Sequence, residues 1–428
     1  MIKNTQRVGF FDRSPETCQW LFNLIVFSLP IFLVAWLPGL WVCFFCILIL
    51  YNRHFNRNTY FNALKNYYKF GYFRYVFYGY SAYFVLSAIS IVFFNSPLKS
   101  IDNALIFLMW LLVSPIMVLL KPNSYMLGFG CVAAAIIAFF IAIIQFHFLN
   151  IDRPYGLYGT GFPGSGAIKF ADISLLIGVM AYILFSGKKY RRLGFLGVFL
   201  GIVICLYAGV RGGVVALFLC WVVWSVAFKI KKITMKPILV ALSFVVIVFF
   251  ILNILTANHI SSRISETLAE LSSFNNDNYN TSMGARLQMW RAALIIFSQH
   301  PMLGVGLNNF DDALLLLYKE HIISKWIIVY SHAHNEYFCS LASGGIVGFI
   351  ITCSLLFMPL TEFKKNYYEN VWARCGFWCV FLMAFFALTD CIFDRRMTVM
   401  GFIIFISIFM AGNISDGYVK TASKMCKP

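Results

Sequence analysis

Charge is what this chain has least of. Of its 428 residues only 12% are charged, about half the ~25% usual in soluble domains. Hydrophobic residues make up 61%, and the mean hydropathy is +0.78. A soluble globule of this size has no interior large enough to hide that much apolar side chain. A cytosolic enzyme, a disordered chain and a small secreted disulfide domain are therefore excluded. Cysteine is absent between Thr256 and Asn335, which excludes a disulfide framework or a thiolate metal site there. The strict polar–apolar alternation of a lipid-facing barrel is missing. So are internal repeats and low-complexity tracts. Residues 1–15 are polar and no small-residue cleavage site follows the first apolar run, so no cleaved signal is expected.

What the chain has instead is apolar runs, and about 20 residues of helix cross ~30 Å of hydrocarbon. Such runs lie near 18–35, 36–51, 75–94, 101–120, 125–148, 168–186, 193–208, 213–229, 237–255, 336–359, 371–390 and 397–413. The reading is an all-α polytopic membrane protein with about twelve transmembrane helices, the first two short and joined at Pro38-Gly39. Spans one to nine occupy 1–255, a large loop 256–335, spans ten to twelve 336–413, and a tail 414–428.

The formal charge of +17 comes from 34 Lys and Arg against 17 Asp and Glu. With the N-terminus inside, 23 of the 34 basic residues fall on alternate loops, in clusters such as Lys188, Lys189, Arg191 and Arg192. Cytoplasmic loops carry that excess. Both termini are then cytoplasmic, the 256–335 loop lies outside, and nucleic acid is not needed to explain the charge.

That outer loop holds five of the seven histidines: His259, His300, His321, His332 and His334. A polar link at 272–280 precedes an amphipathic helix expected over 283–299, with Leu287, Trp290, Leu294 and Phe297 at 3/4 spacing on its apolar face. Pro301 and Gly304-Val305-Gly306 end it, and a short helix is expected near 310–322.

Three elements carry candidate chemistry. Arg211-Gly212-Gly213 opens span eight at its outer end. Arg211 reads either as an interfacial anchor or, beside a helix N-terminus that two glycines leave open, as part of an anion site. Arg286 opens the loop helix, where a solvated helix face is the plainer reading, as it is for Arg291. Ser331-His332-Ala333-His334-Asn335-Glu336 precedes span ten, with Asn335 placed as N-cap. An extended approach to span ten would put the His332 and His334 side chains on one side. As zinc ligands the two histidines have only weak support from Glu336. Asp311-Asp312 and Asp390/Asp394 have no supporting context along the chain.

Together these elements resemble the lipopolysaccharide O-antigen ligase/polymerase superfamily, and in size and loop placement its ligases. His334-Asn335, nine residues, then Gly345-Ile346-Val347-Gly348 matches the family pattern. Arg286-x-x-x-Trp290 followed by Pro301-x-x-Gly304-x-Gly306 looks like the family's loop helix, and Arg211-Gly212 like its Arg-Gly element. The family's Asn-Pro pair is missing after Arg153-Pro-Tyr-Gly156, where Thr160-Gly-Phe-Pro163-Gly164 stands instead.

The resemblance implies a GT-C-type membrane glycosyltransferase in the bacterial inner membrane, with its active site facing the periplasm. It would move a glycan from undecaprenyl pyrophosphate to a sugar hydroxyl of lipid A–core, by inverting displacement, with no cofactor, metal or nucleic acid. His334 would be the general base and Arg211 and Arg286 the pyrophosphate ligands, with His332, Asn335 and Arg153 as secondary candidates. A polymerase or protein O-oligosaccharyltransferase shares that logic. A lipid-linked glycan flippase is the rival from another class, against which stand spans almost free of charge, with Asp102, Asp172 and Asp390 at edges.

Overall fold

A computed structural model describes residues 15–55, 57–69, 72–157, 166–187, 189–227, 265 and 282–425. Among these the chain is helical, with no strand. The first nine helices are α1 Pro15–Ala35, α2 Pro38–His54, α3 Arg57–Lys69, α4 Tyr72–Phe94, α5 Asp102–Leu120, α6 Ser124–Ile143, α7 Ala167–Leu184, α8 Arg191–Tyr207 and α9 Arg211–Ala227. Then come α10 Ser282–Gln299, α11 Phe310–Lys319, α12 Glu336–Lys365, α13 Val371–Phe386 and α14 Arg396–Met425. Eleven of the twelve expected apolar runs coincide with helices. The run at 237–255, the link at 272–280 and Thr160–Gly164 lie outside the described residues.

Seven helices are long and apolar enough to cross a membrane, in α1, α4, α5, α6, α7, α12 and α14. This makes a multi-pass membrane protein, with seven full-length spans among the described residues. Of the other expected runs, the one at 237–255 lies outside the described residues, and the rest form shorter helices. At 1.5 Å per residue, the 17 residues of α2 or α8 reach only about 25 Å, short of the ~30 Å hydrocarbon layer. The stretch after α2, expected as a polar loop, is the helix α3, bent from α2 by 114°.

α7 and α14 are the most enclosed spans. α7 lies against α8 with backbones touching: a Cβ on Gly178 would overlap the Gly197 carbonyl, and one on Gly201 would lie 2.8 Å from Leu175 Cα. Small residues permit that approach in a membrane. It brings the α8–α9 turn, and with it Arg211, beside the first turns of α7. Asparagine side chains cap three helices by accepting backbone N–H bonds: Asn123 on α6, Asn335 on α12 and Asn370 on α13.

α10 and α11 form a separate small core with the start of α12. The buried face of α10 is Ala285, Met289, Ala292, Ala293 and Ile296, and Leu294 is 48% exposed. The apolar face therefore differs from the one expected at Leu287, Trp290, Leu294 and Phe297. Alanines let α10 approach the α12 backbone at Ala342, and the bulkier side chains are left at the margin.

Two glycine motifs clamp this core onto α12. Ile346 N–H donates to the Pro301 carbonyl at 2.8 Å, and Val305 and Gly306 N–H donate to Ala342 and Ser343 at 3.0 and 2.9 Å. Gly345 has φ +60, which breaks α12, and a Cβ there would collide with the Met302 backbone. Only glycine takes that conformation with that contact at little cost.

Candidate active site

The start of α12 is held by the α13–α14 connection. Glu336 N–H donates to the Ala387 carbonyl at 2.8 Å, Asn335 Nδ2 donates to Leu388 at 3.0 Å, and Glu336 Oε2 accepts Phe393 N–H at 3.0 Å. Asn335 is thus both the expected N-cap and the strut that fixes residues 387–393. Glu336 is buried and turned toward Phe393, away from the histidines. The weak metal set read from the sequence does not form around it.

Asp390 takes that place. Its Oδ1 lies 3.3 Å from His334 Nδ1, and its Oδ2 accepts a 2.7 Å bond from Lys169 Nζ on α7. His332 Nε2 lies 3.9 Å from Asp394 Oδ2, which Arg395 Nε approaches to 2.9 Å. The two histidine rings stand edge to face at 4.4 Å, with Tyr330 against His334 at 5.6 Å. The approach to α12 is not extended, because His334 has φ +48. The rings meet because His332 folds back, its Nδ1 accepting the His334 N–H at 3.3 Å. A left-handed histidine costs about 1–2 kcal/mol, and such residues cluster where a site over-determines them. Burial, and then the neighbouring His334, press the pKa of His332 down to about 4, so this ring is neutral at neutral pH. The His334 side chain is 20% exposed against 3% for Asp390, so His334 is the more accessible member of the pair.

Arg211 is the first residue of α9. A Cβ on Gly212 would meet Thr389 Oγ1 at 3.0 Å, and one on Gly213 would meet Asp172 Oδ1 at 2.7 Å. The two glycines therefore let the α9 N-terminus rest directly on the residue before Asp390. Arg286 is half-buried and makes no ion pair among the described residues. It sits one turn before Trp290, whose Nε1 donates to the Ala333 carbonyl at 3.0 Å and whose ring stacks on Phe338. α10 thus docks on the segment between the two histidines. Arg153 bonds through Nε to the Ala208 carbonyl at 3.2 Å, at the end of α8. Arg291 is exposed.

Sequence reasoning does not single out Lys169, and it meets Asp390 and Asp394 without any context that gives them a role. A lysine and an aspartate three residues apart in an apolar run, Lys169 and Asp172, were the signal available. Both are buried, at 6% and 3% exposure, and a charge there needs a partner.

Residues 196–353 match the O-antigen ligase family. The matched stretch runs from α8 into α12 and contains Arg211, Arg286, His332, His334 and both glycine motifs. Lys169 and Asp390 lie outside it. The chain is 26% identical over 291 residues to an uncharacterized protein of Haemophilus influenzae, covering 66% of this chain and 71% of that one. It is 33% identical over 100 residues to the O-antigen ligase of Escherichia coli K12, 23% of this chain and 24% of that protein. The O-antigen ligase match supports a membrane transferase of the ligase/polymerase type.

Proposed function

We propose that the protein is a GT-C-type O-antigen ligase of the bacterial inner membrane, with both termini cytoplasmic and the His334 site facing the periplasm. It transfers a polysaccharide from undecaprenyl pyrophosphate to a sugar hydroxyl of lipid A–core. The observation that carries this reading is the meeting, at one end of the helix bundle, of His334, its Asp390 partner and the N-terminus of α9.

In this mechanism Asp390 faces Nδ1 of His334, which leaves Nε2 to take the proton of the acceptor hydroxyl. A carboxylate that orients the ring and stabilises the imidazolium is the logic of hydrolase triads, and a positioned general base contributes about 10²–10⁴ in rate. The acceptor oxygen bonds to the anomeric carbon as the bond from that carbon to the pyrophosphate oxygen breaks, inverting the centre. The leaving pyrophosphate gains negative charge. Arg211, the free N–H groups of the α9 N-terminus and Arg286 meet that charge. Arginine suits the task because its planar fork binds two phosphate oxygens and stays ionised. Lys169 holds Asp390 in place from behind.

The test is ligation in proteoliposomes with defined lipid-linked donor and lipid A–core acceptor, without nucleotide and in EDTA. Transfer to lipid A–core is expected, undiminished by chelation. Donor extension without acceptor glycosylation would identify a polymerase, and movement of donor across the bilayer without transfer would identify a flippase.

A further inference from the structure

Three donor atoms of the His334 site are arranged as metal ligands are. One atom each from His332, His334 and Asp390 lie within 4.8 Å of one another. They come from two separate segments, the approach to α12 and the α13–α14 connection. His334 Nδ1 and Asp390 Oδ1 are shut off from solvent and face each other at a long 3.3 Å, and neither has another hydrogen-bond partner among the described residues. Two buried polar atoms with only that long contact between them leave a place for a ligand beside them. Two donors on a tetrahedral zinc ion, each at about 2.0–2.1 Å from it, stand about 3.3 Å apart. Two imidazoles and one carboxylate are also a set that leaves a fourth position open. The other oxygen of Asp390 is held by Lys169 at 2.7 Å, an outer contact of the kind that orients a ligating carboxylate. The same ammonium offsets the charge of Asp390, so attraction falls mainly to the two ring nitrogens. That selects a borderline ion over magnesium or calcium, which take six or more oxygens.

We propose that His332, His334 and Asp390 form a binding site for a divalent ion of the zinc class, and that an ion seated there stops transfer by ligating His334 through Nδ1, which holds the ring proton on Nε2 and leaves no base. Binding is independent of the proposed reaction. The inhibition rests on His334 being the base of that reaction.

The experiment uses the full chain in detergent, stripped with EDTA and titrated with Co²⁺ as a coloured probe. One ion per chain is expected, with ligand-field bands of a tetrahedral nitrogen–oxygen site, no thiolate charge-transfer band, and displacement by Zn²⁺. His332→Gln and Asp390→Asn should each weaken binding at least ~10-fold, in line with the loss of one ligand, and Arg291→Ala should not. Thermal melts of His332→Gln separate lost ligation from lost folding, because His332 lies outside the Lys169 pair. No tetrahedral band, a thiolate band from the nearby Cys339 and Cys391, or unchanged affinity in both variants would overturn the site. In the ligation assay Zn²⁺ should inhibit and EDTA restore transfer. Stoichiometric binding at this site without inhibition would overturn the second half of the proposal and with it His334 as base.

Discussion

The two sides of the α12 N-terminus are built on different principles. On one side Pro301–Gly306 and Ala342–Val347 meet backbone to backbone, through N–H bonds to carbonyls and glycines that leave no room for a side chain. On the other side Lys169, Asp390, His334, His332 and Asp394 meet through side chains, most of them charged or titratable, from three remote stretches of chain. The clamp demands glycine at 304, 306 and 345, because a Cβ at any of these three collides with its neighbours. The charged cluster demands only that compensating groups arrive together. A clamp of the first kind holds α10 and α11 against α12, and a cluster of the second kind joins remote stretches of chain through compensating charge.

Substitutions separate the two sides. The largest effect is expected at the reactive side: His334→Ala should abolish detectable ligation, a loss of ~10²–10⁴ in rate, with normal membrane levels and donor binding. His332→Ala should retain clearly more activity. Single-turnover transfer with donor binding measured in parallel decides it, and near-normal chemistry in His334→Ala would remove the base.

Next comes the Lys169–Asp390 pair, with side chains 8% and 3% exposed. Lys169→Met alone strands a buried carboxylate and should cost about 3–5 kcal/mol of stability. Lys169→Met combined with Asp390→Asn should recover much of that in thermal melts while ligation stays low. Equal destabilisation in single and double variants would show that the two are not a pair.

At the anion side, Arg211→Lys keeps the charge and loses the fork. Transfer should fall by more than tenfold with expression unchanged, Arg286→Lys should behave in the same direction, and Arg291→Ala should match wild type. A fully active Arg211→Lys would reduce Arg211 to an interfacial anchor.

The smallest expected effect is at the clamp. Gly345→Ala should cost about 1–3 kcal/mol for a positive-φ, extended backbone that is essentially open to glycine alone, plus the collision with Met302. It should read out as faster proteolysis within 282–335. Gly344→Ala is the control, since its added Cβ would meet only Leu86 Cδ2 at 3.4 Å. Equal sensitivity at the two positions would mean that the clamp does not depend on Gly345.

The amino-acid sequence determined a good deal of this protein without tertiary help. Apolar runs near 20 residues can only be helices in lipid, because every backbone group must be satisfied within its own segment. Asn335 is legible as an N-cap, and Arg211, Arg286 and His334 stand out against a background with so little charge. Only the tertiary structure decided the partners. Lys169 and Asp390 are 221 residues apart, and nothing local in either segment indicates that α7 and the α13–α14 connection meet. The buried face of α10 was decided the same way. Side-chain size along one helix ranks Leu294 above Ala292 and Ala293, but close approach to the α12 backbone selects the alanines. Local periodicity reports what a segment prefers by itself, whereas a charge in a span or a small residue in a helix face gains its meaning from whatever packs against it.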